Sequence, residues 1–238
     1  VATNNRFGVF SLENNTSGSY NMALGGYALR TNTSGSYNVA LGNGALQFNN
    51  NNYNTAIGAN ALYSNTGQGN TAISAFAGQS NTTGQYNVSI GMQSLTSTTI
   101  GSNNVAFGYQ SIYSNITGGN NVGIGTQALR SNLGSGNIAI GFGAGFNETG
   151  SNTLYIANSS GTSSGIYGDF ANSRFGINQA PSALTRTFDI NGELRVRDVV
   201  TTTPTKLMSI DNDGVVSSLG LSGLSISGGN LVSSAGST

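Results

Sequence analysis

Small, apolar and polar positions recur along the first part of the chain in a pattern too short in period for a helical repeat. A five-residue unit (Asn, any residue, a small residue, an aliphatic, Gly) begins at Asn21 (NMALG), Asn38 (NVALG), Asn54 (NTAIG), Asn70 (NTAIS), Asn87 (NVSIG), Asn104 (NVAFG), Asn121 (NVGIG) and Asn137 (NIAIG). The spacings are 17, 16, 16, 17, 17, 17 and 16 residues. Each unit is followed by a second pair: Ala28-Leu29, Ala45-Leu46, Ala61-Leu62, Ala77-Gly78, Ser94-Leu95, Ser111-Ile112, Ala128-Leu129 and Ala144-Gly145. A polar stretch such as TNTSGSY or YSNTGQG then leads to the next unit. Helix-pair repeats need about 33 residues or more, so this period points to one coil of a parallel β-solenoid, with two short strands and two turns per coil.

The predicted fold is all-β: a parallel β-roll of about eight coils of 16–17 residues. Side chains alternate along a strand. Positions two and four of the unit (Met/Val/Thr/Ile and Leu/Ile/Phe) are predicted to face a dry interior, and positions one, three and five to face the other way. Small residues on an outer face let another backbone approach closely, so the Ala/Gly column is predicted to meet sister chains along a symmetry axis. Gly25, Gly42, Gly58, Gly91, Gly108, Gly125 and Gly141 close their units, where a turn needs positive φ. Asn21, Asn38, Asn54, Asn87, Asn104, Asn121 and Asn137 are expected to form amide ladders that satisfy turn backbone groups. An ordered polar array facing ligand or ice is the alternative. Tyr20, Tyr37, Tyr53 and Tyr86 precede the Asn column and read as a stacking ladder at a coil corner, with a sugar platform as the alternative. Eight coils stacked at about 4.8 Å make a rod of roughly 40 Å with little core, which trimerisation would cover.

Composition sharpens this picture. Charged residues make up 7% of the 238 residues, and the formal net charge is zero, against about 25% charged in ordinary domains. Between Asn14 and Leu129 the only charged residue is Arg30, and 12 of the 16 charges follow Asn147. Such a surface cannot neutralise phosphates or bind anionic lipid, so neither nucleic acid nor membrane insertion is expected. No apolar run approaches the roughly 20 residues of a membrane span. Cysteine and histidine are both absent, which removes disulfides, thiolate nucleophiles, imidazole bases and His/Cys metal sites. Opening at Val1 without Met or signal peptide reads as a piece processed or excised from something longer.

NVALGNGAL, NTAIGANAL and NVGIGTQAL resemble the head repeats of trimeric autotransporter adhesins (YadA-like heads), over about residues 18 to 147. That family carries an Asn-Ser-Val-Ala-Ile-Gly motif in coils of about 14 residues; here the coils are two or three residues longer, with one enlarged polar turn. The resemblance implies a left-handed, homotrimeric roll. Asn152 to Ile156, Ile166 to Pro181 and Phe188 to Asp198 resemble the stretch that follows such repeats in phage tail fibres, ahead of an intramolecular chaperone that is not visible here. In those families it forms a short-stranded trimeric β connector. LMSIDNDGVVSSLGLSGLSISGGNLVSS has short alternating strands with Asp-Gly and Gly-Gly turns and resembles fibre ends. Asp211, Asp213 and Gly214 read there as a hairpin turn, since a Ca²⁺ loop needs further ligands.

The predicted organisation is a lead-in over 1–17, the roll over 18–147, the connector over 148–200 and a fibre end over 201–238. No paired carboxylates are available in the roll, and Glu193, Arg195 and Arg197 fall on one face of a short strand, where ion pairs between chains are the simpler use. Neither an enzyme nor a cofactor site is expected. The functional expectation is an extracellular, structural and adhesive segment of a homotrimeric phage tail fibre, with itself, other fibre proteins and a host cell-surface receptor as partners. A bacterial trimeric adhesin head and a monomeric ice- or glycan-binding solenoid are the alternatives. Candidate receptor contacts lie in the enlarged turns, at Asn49, Asn51, Tyr53, Asn65, Thr99 and Asn115.

Overall fold

The structure is a computed structural model that describes residues 3–160, 165–178, 184, 187–190, 206–210, 216–220, 224–227 and 230–233. Nine three-residue strands carry the repeat: β1 (Asn5–Phe7), β2 (Met22–Leu24), β3 (Val39–Leu41), β4 (Thr55–Ile57), β5 (Thr71–Ile73), β6 (Val88–Ile90), β7 (Val105–Phe107), β8 (Val122–Ile124) and β9 (Ile138–Ile140). Each pairs in parallel with the next, so Leu24, Leu41, Ile57, Ile73, Ile90, Phe107, Ile124 and Ile140 form one continuous row. The result is a β-solenoid of about nine turns, with no helix among the described residues.

The solenoid exceeds its predicted limits at both ends. Residues 4–8 (NNRFG) are already a coil: β1 pairs with β2, and the Asn21 N–H donates to Asn4 Oδ1 at 2.8 Å. At the other end β10 (Thr153–Ile156) continues the parallel ladder from β9. The sheet then reverses, with β11 (Ile166–Asp169) and β12 (Arg174–Ile177) antiparallel and β13 (Phe188–Ile190) parallel to β12. A second compact unit, Leu194–Thr238, holds two hairpins: β14 (Lys206–Ile210) with β15 (Val216–Gly220), and β16 (Leu224–Ser227) with β17 (Asn230–Ser233). Asp211, Asp213, Gly214, Glu193, Arg195 and Arg197 lie outside the described residues.

The strand faces are the reverse of the sequence expectation. Ala23, Ala40, Ala56, Ala72, Ala106 and Ala139 are buried, as are the unit-heading asparagines, whereas positions two and four point outward and stay half-buried or exposed. The reason is the thinness of the coil. At Gly123, in the small-residue column, even a Cβ would lie 2.6 Å from Ser111 Oγ and 2.8 Å from Ile112 Cγ1. The opposite wall is too close for Val or Ile, so the interior takes methyl groups and amides, and the larger side chains turn out. The core is completed by Ala28, Ala45, Ala61, Ala77, Ala128 and Ala144 and by one large residue per coil in a column Leu12, Leu29, Leu46, Leu62, Leu95, Ile112 and Leu129. Each fully buried Leu contributes about 1.5–3 kcal/mol. Gly78 interrupts that column and leaves a void of about 10 Å³ lined by Leu62, Thr71, Leu95 and Thr98.

The expected second strand is absent. Around the rest of the coil, residues in left-handed backbone alternate with others: Tyr27 (φ 60) and Leu29 (φ 50) in one coil, Asn60 (φ 54) and Leu62 (φ 49) in another, Gln110 (φ 52) and Ile112 (φ 49) in a third. This curls the chain where an extended segment was predicted. Such backbone costs about 1–2 kcal/mol for a residue with Cβ, and inter-coil bonds such as Leu29 N–H to Ala45 O at 3.0 Å offset it.

The glycine that ends each strand has a steric cause. Gly42 sits at φ 137, and a Cβ there would lie 2.5 Å from the Gly58 carbonyl oxygen of the next coil. Ser74 occupies this column at φ 117, where a side chain costs about 1–3 kcal/mol. Ser74→Gly is therefore expected to raise the unfolding free energy by about 1 kcal/mol, and Gly42→Ala to lower it by more. Denaturant unfolding followed by circular dichroism checks the pair; a destabilising Ser74→Gly would contradict the strain.

Candidate interaction surfaces

The asparagine columns decide which polar groups are free to meet a partner. Each heading Asn accepts, through Oδ1, the backbone N–H of the next: Asn38 to Asn21 at 2.9 Å, Asn54 to Asn38 at 2.9 Å, and so on to Thr153 on Asn137 at 3.0 Å. Its Nδ2 donates to a turn carbonyl of the following coil, as Asn21 does to Gly35 O at 2.8 Å. The ladder expected from the sequence is present, but inside the coil and not on an outer face.

A second column was not recognised from the sequence: Asn15, half-buried at the end of the solenoid, then the buried Asn32, Asn49, Asn65, Asn81, Asn115 and Asn132. Its Nδ2 groups hold turn carbonyls, for example Asn65 to Gly67 O at 2.8 Å and Asn115 to Gly118 O at 2.7 Å. The signal was present as a second Asn series with the same 16–17 spacing, broken only at Thr98. This corrects three candidate contacts. Asn49, Asn65 and Asn115 are fully buried structural amides and cannot touch a receptor. Asn51 and Tyr53 are exposed, and Thr99 is half-buried.

Two surfaces then stand out. The outward positions of the strands form a strip of two columns: Met22, Val39, Thr55, Thr71, Val88, Val105, Val122 and Ile138 beside the Leu24-to-Ile140 row. No charged residue interrupts it. Leu24 is 43% exposed and Phe107 54%. At about 4.8 Å per coil the strip runs for nearly 40 Å, a contiguous apolar surface of the kind that marks interaction sites. The second surface is the turn edge. Tyr20 and Tyr37 stack at 4.9 Å and 17°, and Tyr37 and Tyr53 at 5.2 Å and 10°. Tyr86 stands apart from this stack, because Gly69 holds the intervening position.

Charge is confined to the ends. Arg30 pairs with Glu13 at 2.8 Å and lies over Phe10 and Tyr27, while Arg130 lies over Tyr113 and Phe146. Among the described residues no three acidic side chains gather as a metal cluster. Among the described residues no helix is long and apolar enough to cross a membrane.

Where the ladder ends, Tyr155 packs on Tyr167 at 4.8 Å and donates its hydroxyl to Glu148 Oε2 at 2.6 Å. Burial first, and the Glu148 hydrogen bond second, push the Tyr155 hydroxyl well above its ordinary value of 10.0; burial does the same to Tyr167. The neutral form is favoured in the fold, so this contribution is fully present below about pH 10 and is lost as pH rises beyond it. Tyr155→Phe is expected to lower stability by about 1–3 kcal/mol at neutral pH and to flatten the alkaline loss. Unfolding curves measured from pH 7 to 11 check this; equal alkaline slopes in both proteins would contradict it. No protein-family model, curated protein or solved structure matches this chain.

Proposed function

We propose that the chain is an attachment segment of a homotrimeric extracellular fibre of the phage tail-fibre kind, without enzymatic activity. One observation carries this reading: from β2 to β9 every strand sends its third residue (Leu, Ile or Phe) outward in one row, in register, and beside it the first residue is Met, Val or Ile in all but the Thr55 and Thr71 coils. A surface of that kind in water needs a partner of equal length and period, and another copy of the same chain supplies both. Three copies are taken from the resemblance to trimeric adhesin heads. The contact surface is then the aliphatic strip, in place of the Ala/Gly column that the sequence favoured. Within this reading residues 148–200 continue the shaft as a connector, other fibre proteins join at its ends, and a host cell-surface receptor meets the turn edge. The near absence of charge from residue 31 to 129 keeps the shaft indifferent to nucleic acid and lipid headgroups.

Light scattering after size exclusion is expected to give three times the 24.2 kDa chain mass. Ile73→Asp combined with Ile124→Asp places charges in the strip and is expected to give monomers with the coil spectrum kept. A wild-type monomer would contradict the proposal and leave a solenoid that binds its ligand alone.

A further inference from the structure

The turn edge mixes two turn lengths, and only at its middle do two short turns lie between longer ones; Asn132 to Asn137 is a further short turn near the end of the solenoid. The turns from Asn32 to Asn38 and from Asn81 to Asn87 hold five residues between their asparagines, while those from Asn49 to Asn54 and from Asn65 to Asn70 hold four. Two short turns side by side, flanked by longer ones, leave an open recess of about 460 Å³. Its lining is Asn51, Thr66, Gly67, Gln68, Thr83 and Gln85.

The aromatic ladder breaks at the same place. Tyr53 stacks on Tyr37 by one face, and its other neighbour along the column is Gly69. Tyr53 is 62% exposed, the most of the four column tyrosines. Tyr86, the next ring, leans over Gly69, where a Cβ would lie 2.7 Å from its Cδ1. Its hydroxyl accepts a hydrogen bond from Gln68 Nε2 at 2.8 Å. The Thr83 hydroxyl and the Gln85 side-chain amide make no hydrogen bond within the protein, although the Gln85 backbone N–H donates to Ser102 Oγ at 3.0 Å, and Gln68 keeps its Oε1 free.

We infer that this recess is a binding site for a neutral glycan. A pyranose presents an apolar C–H face and a rim of hydroxyls. The apolar platform lies at the border of the recess and not in its lining: Tyr86 follows Gln85 and bonds the lining Gln68 through its hydroxyl, and Tyr53 stands two residues from Asn51, while free side-chain amide and hydroxyl groups of the lining offer donors and acceptors for the rim. A concave site with a few convergent polar groups is the form that small-ligand recognition takes. Charge decides the class: with no charged residue between Arg30 and Arg130, nothing here balances a sulfate, a sialic acid or an amine. None of the lining residues belongs to the aliphatic strip, so the recess stays open in the assembled fibre. The inference rests on the attachment reading and names its receptor class.

The test is a glycan array carrying neutral hexose and N-acetylhexosamine oligosaccharides beside sialylated and sulfated ones, probed with the full chain. Binding to neutral members is expected. Tyr53→Ala and Gln85→Ala should each weaken it at least tenfold. Gly69→Tyr should abolish it by completing the ladder, since the neighbouring column tyrosines already adopt this positive φ. Far-UV circular dichroism and the solution mass of each variant separate loss of the site from loss of the fold or of the trimer. No binding to any neutral glycan by an intact trimer, preference for charged glycans, or binding unchanged in folded variants would each overturn the inference and leave the fibre reading standing.

Discussion

The whole solenoid depends on one repeated contact, a buried asparagine whose side-chain oxygen accepts the backbone N–H of the next coil's asparagine. It fixes register at one point per coil, 2.8–3.0 Å apart from Asn4 through Asn137 to Thr153. The same side chain holds a turn carbonyl with its amide nitrogen, so both polar ends are satisfied in the interior. Removing it would leave a buried N–H and a buried carbonyl unpaired, each costing about 1–3 kcal/mol. Because every coil is locked to the next at this point, coils of 16 and 17 residues stack without slippage. The extra residue is absorbed in the exposed turn, between the two Asn columns.

From that lock the remaining architecture follows. Two amides and two small side chains fill most of each cross-section, and a single Leu or Ile supplies the bulk of the apolar contact. The opposing walls approach closely enough that the small-residue column from Ala23 to Ala139 holds only Ala, Ser or Gly, and at Gly123, facing Ser111 and Ile112, there is no room even for a Cβ. Larger side chains are therefore placed outside, and in-register stacking turns them into a strip. A coil built this thin is under-provided with core and over-provided with apolar surface, and the proposed association between copies would relieve both conditions.

The period, the position of one strand per coil, the positive φ of the closing glycine and the Tyr20–Tyr37–Tyr53 stack were all legible in the sequence; the carbonyl of the next coil that also bars a Cβ at that glycine was not. Which face points inward was not. Alternation in Val39-Ala40-Leu41 defines two faces, and hydrophobicity alone assigns Val and Leu to the core; wall separation decides otherwise, and no residue type announces it. The missing second strand has a similar cause, since Leu29 or Ile112 in left-handed backbone is unfavourable locally and is held there only by bonds between coils. At the candidate contact sites, Asn49, Asn65 and Asn115 looked like polar loop residues because an exposed amide and a buried ladder amide read alike in sequence. The recess between the short turns needed a comparison of turn lengths across adjacent coils, which the spacings contain but single turns do not.

The central claim is that the strand's aliphatic face joins copies of the chain. The absence of cysteine permits single nitroxide labels at Ile124→Cys and, on the turn edge, at Thr83→Cys. The account predicts strong dipolar broadening between labels at residue 124 in the assembled protein, removed by dilution with unlabelled chain, and weaker broadening at residue 83. Narrow, uncoupled spectra at 124 together with coupling at 83 would place the contact on the turns and contradict the account.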